Sequence, residues 1–171
     1  MDLFQYPPVG FHFLVTFQLF PQTPNDARFQ EVSGLDVDME MDTFMEGGQN
    51  RFTWQLPKRA RYSDLVLKRG MFMGSGIVMW CQNAFENFVF EPVNITIALL
   101  NDMHVPVQAW NVVNAIPKKW SISNFNAQEN SIVIESFTLS YQFFNVISVE
   151  SLVSGAIGAA ASLSGSASVS F

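Results

Sequence analysis

Four acidic side chains alternate with apolar residues in the first third of the chain: Asp36, Asp38, Glu40 and Asp42. On an extended strand, residues two apart point to the same face, about 6–7 Å from each other. Carboxylates at this spacing are able to bridge a divalent cation. An EF-hand, however, requires a glycine in the pattern D-x-[DN]-x-[DN]-G, and none follows here. We therefore predict no metal site and interpret the row as the charged face of a strand.

The residue types most often used in catalysis do not form a set. His12 and His104 are the two histidines, and neither has a cysteine or an H-E-x-x-H spacing near it that would hold zinc. Gly74-Ser75-Gly76 lacks the full G-x-S-x-G sequence of a nucleophile elbow. It also fails the dinucleotide pattern, because Met79 stands where the third small residue belongs. We predict no catalytic residue, no cofactor and no metal ligand, and therefore no enzyme.

Basic side chains follow the acidic row in a separate block. Residues 36–46 contain five acids and no base, whereas residues 57–69 contain five bases and one acid. Charges segregated in this way can pair across a subunit contact, where they set register and orientation more than affinity. The alternative is a solvated face, since exposed pairs contribute only ~0–1 kcal/mol each. The candidate charge partners are Lys58, Arg59, Arg61, Lys68 and Arg69.

The composition indicates a chain whose surface is covered by partners. Of 171 residues, 49 % are apolar and 14 % are charged, whereas an average globular domain is roughly 25 % charged. So few charges leave a monomer short of polar groups for its surface, which favours an obligate assembly. The net charge of −6 argues against nucleic acid as the main partner.

Three further features indicate where in the cell the chain is expected to fold. Cys81 is the single cysteine, so the chain forms no internal disulfide, and a reducing compartment is indicated. The first ten residues lack the basic segment and the long apolar run of a signal peptide. No stretch approaches the ~18 consecutive apolar residues of a membrane span, so we expect no membrane anchor.

Apolar residues at alternate positions predict a mainly β chain. The turn cluster at residues 47–50 joins two of the strands into a long hairpin, 36–56. This pattern predicts two packed antiparallel sheets, a sandwich or a partly closed barrel, together with one α-helix. The strands are predicted at 11–19, 36–42, 51–56, 64–68, 93–99, 105–113, 120–123 and 132–146.

The helix is predicted between Ser75 and Phe88. Ser75 is a suitable N-cap, and apolar residues recur after it at helical spacing. We expect this face to be buried against the sheets. Its predicted core residues are Ile77, Cys81, Phe85 and Phe88.

The end of the chain differs in composition from the rest. Residues 1–146 carry the strand pattern, whereas residues 147–171 are rich in Gly, Ala and Ser. Such a segment has few side chains with which to pack on its own domain. We predict that this extension contacts other subunits or another component.

Four segments carry a resemblance to one known family. They are YPPVGFHFLVTF at 6–17, FQEVSGLDVDMEMDTFMEGG at 29–48, LPKRARYSDLVLKRGMF at 56–72 and WNVVNAIPKKWSISNFNAQENSIVIESFTLSYQFF at 110–144. In these segments the chain resembles the tail tube proteins of contractile phages and of phage-like injection systems. The third segment contains the P-x-x-x-x-Y-x-x-L-x-L-K-R-G pattern of that family. The segments occur in order and span most of the chain.

The resemblance implies a structural function. Six copies would form a ring, and rings would stack into a hollow tube inside a contractile sheath, with baseplate or hub proteins as further partners and cargo in the lumen. The 36–56 hairpin would reach a neighbouring subunit, with Phe44, Phe52 and Trp54 as its apolar anchors. A closed assembly of this kind removes the exposed edge strands of a β-rich chain. Assembly in the bacterial cytoplasm, as part of a phage tail or phage-like particle, is expected.

Two alternatives remain at this point. The chain could form a tube-initiating or terminal ring that joins the tube to the baseplate or cap. It could instead be a secreted ring that carries effectors, similar to the type VI tube protein.

Overall fold

The computed structural model describes residue 10 and residues 12–18, 26–45, 47–48, 51–128 and 131–148. Nine strands and one helix occur in these residues, whereas the sequence predicts eight strands and one helix, and no predicted strand covers residues 31–33. They are β1 (Phe13–Phe17), β2 (Glu31–Ser33), β3 (Val37–Phe44), β4 (Trp54–Tyr62), β5 (Leu65–Gly70), α1 (Gly76–Asn87), β6 (Val93–Leu100), β7 (Pro106–Ile122), β8 (Ile134–Ser140) and β9 (Phe143–Ser148).

Seven strands form one antiparallel sheet in the order β1-β6-β7-β8-β5-β2, and β9 pairs with β7 beside this path. Strands β3 and β4 form a separate two-stranded sheet. The first part of β7 pairs with β6 and β9, whereas its last part pairs with β8. The described strands do not close into a barrel. The predicted fold class, two antiparallel sheets with one helix, is confirmed.

The change of partners along β7 occurs at an irregular residue. Asn114 has a positive φ of 52°, a conformation that Asn tolerates better than most residues. Its backbone N–H donates to Asn94 Oδ1 at 3.0 Å, and its side-chain amide donates to Gln142 Oε1 at 2.9 Å. These bonds stabilise the irregular backbone where the long strand passes from one half of the sheet to the other.

The core follows the two-residue period of the strands. In β5, Leu65 and Leu67 are fully buried, and in β8 Phe137 and Leu139 are fully buried. Burying a side chain of this size contributes roughly 1.5–3 kcal/mol. One cluster joins these residues to Val15 of β1 and to residues of β6 and β7, so both halves of the large sheet share a single core.

The helix buries only part of its predicted face, because Ile77 and Cys81 are buried as predicted whereas Phe85 and Phe88 are not. Its buried residues are Ile77, Trp80, Cys81 and Ala84. The predicted burial of Phe85 and Phe88 is wrong, because 39 % of Phe85 and 81 % of Phe88 are exposed. Eight residues beyond Ile77, a helix with 3.6 residues per turn has rotated about 80° away from the starting face. Phe88 lies beyond the helix, at a left-handed C-cap with φ 56°.

Two strand predictions also need correction. The separate strands predicted at 105–113 and 120–123 form the single 17-residue strand β7, which continues through Pro117. The register shifts between Pro117 and Lys119, and such bulges are sites where a sheet accepts proline. Conversely, the single strand predicted at 132–146 is divided into β8 and β9. Strand β9 continues to Ser148, two residues past the predicted end of the β domain, and residues 149–171 lie outside the described part.

Candidate functional site: the β3–β4 hairpin

The β3–β4 hairpin is the most exposed regular element of the described structure. All eight residues of β3 and eight of the nine residues of β4 are exposed. The two strands pair with each other and with no other described strand. Because a lone two-stranded hairpin is at best marginally stable in water, an element of this length with two solvated faces is expected to have a partner.

One face of the hairpin is apolar. Residues opposite each other in an antiparallel pair lie on the same face, and here Val37 faces Tyr62, Met39 faces Ala60 and Met41 faces Pro57. Val37 and the two methionines are each about half exposed. Methionine adapts to irregular surfaces and is frequent at binding surfaces. This face therefore has the composition of a contact surface.

The opposite face is charged near the base and aromatic near the tip. Asp38 faces Arg61, and Asp42 faces Leu56. The register shifts between Met39 and Met41. As a result, Glu40 lies opposite two consecutive residues of β4, Lys58 and Arg59.

The charges of this face pair within the hairpin. Arg59 Nε lies 3.8 Å from Glu40 Oε2, and Lys58 Nζ lies 3.9 Å from Asp42 Oδ2. All four side chains are largely exposed, so each pair contributes only ~0–1 kcal/mol. The predicted acidic and basic blocks thus meet inside one subunit, and their pairing with a neighbouring subunit stays a prediction.

Aromatic side chains occupy the end of the hairpin. Phe44 faces Trp54 across the strands. The rings of Phe52 and Trp54 pack edge to face, with their centroids 5.1 Å apart. All three side chains are about half exposed or more. Aromatic residues of this kind commonly dominate the binding energy of an interface.

The base of the hairpin is fixed to the large sheet by a close backbone contact. Gly34 has a φ of 93°, and a Cβ at this position would lie 1.9 Å from the carbonyl oxygen of Asp64. The Tyr141 hydroxyl donates to the Gly34 carbonyl at 2.8 Å. Burial raises the pKa of Tyr141 to about 12, and the nearby Asp36 carboxylate adds to the shift. The tyrosine hydroxyl therefore stays protonated and keeps this bond over the physiological range.

Arg69, one of the predicted surface charges, is instead buried at the start of α1. Its side chain is 1 % exposed, and its Nε and Nη2 both lie 3.3 Å from Glu135 Oε2. Arg69 Nη2 also donates to Ser75 Oγ at 2.6 Å, and Nη1 lies 3.7 Å from Asp26 Oδ1. A buried arginine that pairs with carboxylates of its own chain is not an intersubunit charge, so that prediction is wrong for Arg69. Lys68, its neighbour, pairs with Glu31 on the surface.

The buried cluster of Asp26, Arg69, Ser75 and Glu135 also caps the N-terminus of the helix. Ser75 occupies the N-cap position, but its side chain makes no capping bond to the helix and donates to Asp26 Oδ1 instead. The second oxygen of Asp26 accepts the backbone N–H of Gly76 at 3.3 Å. The Arg69 guanidinium also lies 5.2 Å from the centre of the Phe137 ring. The cluster thus joins the first turn of α1 to β5 and β8.

The described residues do not assemble a catalytic or metal site. The rings of His12 and His104 lie 4.6 Å apart, and His12 Nδ1 is 3.0 Å from the Asn101 carbonyl oxygen. Within the described residues, no three His, Cys, Asp or Glu side chains are grouped to hold a metal ion. Burial raises the pKa of Cys81 to about 12, so its thiol is a poor nucleophile. No described helix is long and apolar enough to cross a membrane.

Solved structures with the same fold define its class. A chain of the six-fold symmetrised anti-feeding prophage baseplate superposes with a TM-score of 0.79 at 30 % identity, covering 84 % of this chain and 97 % of that chain. A chain of the extended sheath–tube complex of PVC, an extracellular contractile injection system, superposes with a TM-score of 0.73 at 26 % identity. The match covers 85 % of this chain and 95 % of that chain. Hcp1 from Flavobacterium johnsoniae shares the fold, with a TM-score of 0.54 at 15 % identity over 80 % of this chain and 94 % of that chain. The fold is therefore one that occurs in contractile injection systems.

The family follows from the sequence. The family model of the T4-like virus tail tube protein gp19 matches residues 9–145, most of the chain. This chain therefore belongs to the T4-like virus tail tube protein family. A sequence search of curated proteins gave no match.

Proposed function

We propose that this chain is the inner-tube subunit of a contractile injection system, a non-enzymatic protein that forms six-membered rings stacked into a hollow conduit. Its family membership and its similarity to a chain of a sheath–tube complex support this function. The sheath, baseplate proteins and other copies of the chain are its partners, and cargo occupies the lumen.

The observation that carries the proposal is the isolated β3–β4 hairpin. It leaves seven large apolar side chains about half exposed, and it pairs with no other described strand. Exposed apolar surface of this extent marks an interaction site. The seven residues are Val37, Met39, Met41, Phe44, Phe52, Trp54 and Leu56.

A hairpin that pairs with no other described strand of its own subunit is available to contact a neighbouring copy in a ring. A projecting element that docks on a different part of the next copy makes a heterologous contact, and such contacts close into a ring when the rotation permits. Contacts between rings remain open and extend the tube. Six is the number that the family resemblance implies.

The test is assembly of the Trp54→Ala variant. An aromatic anchor at the centre of an interface contributes ~2 kcal/mol or more, which is at least a thirtyfold loss of affinity per contact. Native mass spectrometry should give six-membered rings or their stacks for the unmodified chain and mainly monomer for the variant. Circular dichroism should show the same strand content for both, because Trp54 is half exposed and does not belong to the core cluster of the described residues.

Phe125→Ala is the matched control. Phe125 is 77 % exposed and lies outside the hairpin, between β7 and β8. The control should assemble like the unmodified chain. Unaltered rings in Trp54→Ala, or an unmodified chain that stays monomeric at micromolar concentration, would contradict the proposed function.

A tube-initiating ring is the second candidate, and one observation favours it. The baseplate chain aligns at 30 % identity and a TM-score of 0.79, against 26 % and 0.73 for the sheath–tube chain. Gold labelling of native particles in the electron microscope separates the two functions. Label along the whole tube supports the inner-tube subunit, and label confined to one end supports the initiating ring. The likeness to Hcp1 concerns the fold alone and does not favour a secreted effector carrier.

A further inference from the structure

An apolar pocket opens at the base of the hairpin, between β2 and the strands β1, β6 and β7 of the same large sheet. Its volume is about 250 Å³. This is below the roughly 300–1,000 Å³ of sites for small-molecule ligands, so the pocket suits one or two side chains better than a metabolite. Gly10, Gln30 and Glu31 also line it. Its apolar lining consists of Phe13, Val32, Leu35, Ile97, Leu99 and Trp110.

The aromatic end of the hairpin cannot fill the pocket of its own subunit. Leu35 lines the pocket and Phe44 ends β3, and the chain between them is extended almost throughout. At about 3.3 Å per residue, these nine steps separate the two by roughly 30 Å. A paired strand cannot fold back over this distance without breaking its ladder. Any contact between tip and pocket is therefore intermolecular.

The two surfaces are complementary in character. The tip offers the aromatic side chains of Phe44, Phe52 and Trp54, each about half exposed, and the pocket offers apolar walls. Arg51 precedes Phe52 and is exposed, and Glu31 stands at the pocket wall. The Glu31 carboxylate already accepts two bonds from Lys68, but a carboxylate has about four lone-pair sites and can bind a second cation.

We infer that the aromatic tip formed by Phe44, Phe52 and Trp54 docks on the Gly10–Trp110 pocket of the next copy of this chain, with one or two of its rings inserted and Arg51 against Glu31. This inference rests on the proposed function, since it names the surface that receives the hairpin. Each copy then contributes one tip and one pocket. The contact is head to tail, and it closes into a ring when the last tip reaches the first pocket.

A second apolar surface competes with the pocket as the receiver. Met79 on the outer side of α1 is well exposed, as are Phe88 beyond its end and Met73 before its start. Variants of both surfaces therefore belong in the test.

Gly10 allows the pocket to be blocked from its rim. A Cβ added at Gly10 meets no atom within 4 Å, so a larger side chain enters open space rather than the core. Gly10→Leu should reduce the fraction of ring in native mass spectrometry at least tenfold. Gly10→Ala, which adds only a methyl group at the same position, is the control and should assemble normally, and so should Met79→Ala. Normal rings in Gly10→Leu, or loss of rings in Met79→Ala and not in Gly10→Leu, overturn the inference and leave the proposed function intact.

Mixing two defective variants tests the head-to-tail arrangement. Phe52→Ala/Trp54→Ala keeps the pocket and loses the tip, whereas Gly10→Leu keeps the tip and loses the pocket. Each should be monomeric alone. Their mixture should form a one-to-one dimer and nothing larger, because it contains one working contact per pair. A mixture that stays monomeric overturns the inference.

Cross-linking tests the contact in intact rings. Cys81 is buried, so cysteines introduced by Arg51→Cys and Glu31→Cys in one chain are the accessible pair, and they leave the aromatic tip and the apolar pocket walls intact. Mild oxidation should give a ladder that ends at the covalent ring on a non-reducing gel. Phe125→Cys with Glu31→Cys is the control and should give no ladder. Rings without a ladder overturn the inference, and an unmodified chain that forms no ring overturns the proposed function instead.

Discussion

Replacing Arg69 by methionine should destabilise the subunit more than any surface charge substitution. Arg69→Met keeps the length of the side chain but leaves the buried carboxylates of Asp26 and Glu135 without their cation. Removing one partner of a buried ion pair costs about 3–5 kcal/mol. Since a domain of this size is stable by only about 5–15 kcal/mol, the loss is a large fraction of the total.

Urea unfolding followed by tryptophan fluorescence measures this loss. With a slope of about 2 kcal/mol per molar urea, the midpoint should fall by roughly 1.5–2.5 M. Arg69→Met and its control are best made in the Trp54→Ala background, so that subunit association does not add to stability. Lys68→Met is the matched control, because Lys68 adjoins Arg69 in β5 and its pair with Glu31 is solvated. That control should lose at most about 1 kcal/mol.

A second substitution distinguishes lost charge balance from lost packing. Adding Glu135→Gln to Arg69→Met removes the negative charge that Glu135 would hold beside the introduced methionine. The double variant should therefore be more stable than Arg69→Met alone, with a coupling of about 0.5–3 kcal/mol. If Arg69→Met and Lys68→Met shift the urea midpoint equally, the cluster does not stabilise α1 in the way described.

Gly34→Ala should lower the thermal midpoint of the subunit, because the added methyl would meet the Asp64 carbonyl. Gly70→Ala is the control, because the nearest atom to its added methyl is 3.7 Å away. Equal midpoints for the two variants would refute the close contact. Cys81 should react with a thiol reagent at pH 8 only after unfolding. Because burial raises its pKa to about 12 in the folded state, the stability that Cys81 contributes is complete below the ordinary thiol pKa and declines as the pH rises toward 12. Cys81→Ala should flatten this alkaline decline, and an identical decline in the variant would exclude the thiol. Deletion of residues 149–171 should leave the urea midpoint unchanged but alter tube initiation or stacking in electron micrographs, and unaltered tubes would remove the role predicted for the extension.

The sequence predicted the strands well because burial imposes a period of two. The strand predicted at 64–68 corresponds to β5, and its alternate residues Leu65 and Leu67 are both fully buried. The helix prediction failed at Phe85 and Phe88 because it continued the buried face beyond Ala84. The positions after Ala84 lie on a different side of the helix or beyond its end. Its C-cap lies at Phe88, and no glycine marks that end in the sequence.

Long-range pairing was beyond the sequence pattern. Arg69 sits in a block of bases that resembles a solvated face, yet its partner Glu135 is 66 residues away and is placed opposite it by the β5–β8 register. The pocket at the hairpin base was equally hidden, because its lining combines residues from four strands that topology alone brings together. The sequence pattern was sufficient to predict the hairpin as an element. The pocket proposed to receive it became visible only in the folded structure.

A cryo-electron microscopy map of the native assembly tests the central claim most directly. The account predicts a six-fold ring in which the β3–β4 hairpin of each subunit lies on its neighbour, with density for Trp54 at the subunit contact. A ring whose hairpins project freely into solvent, or particles that remain single subunits, would contradict it.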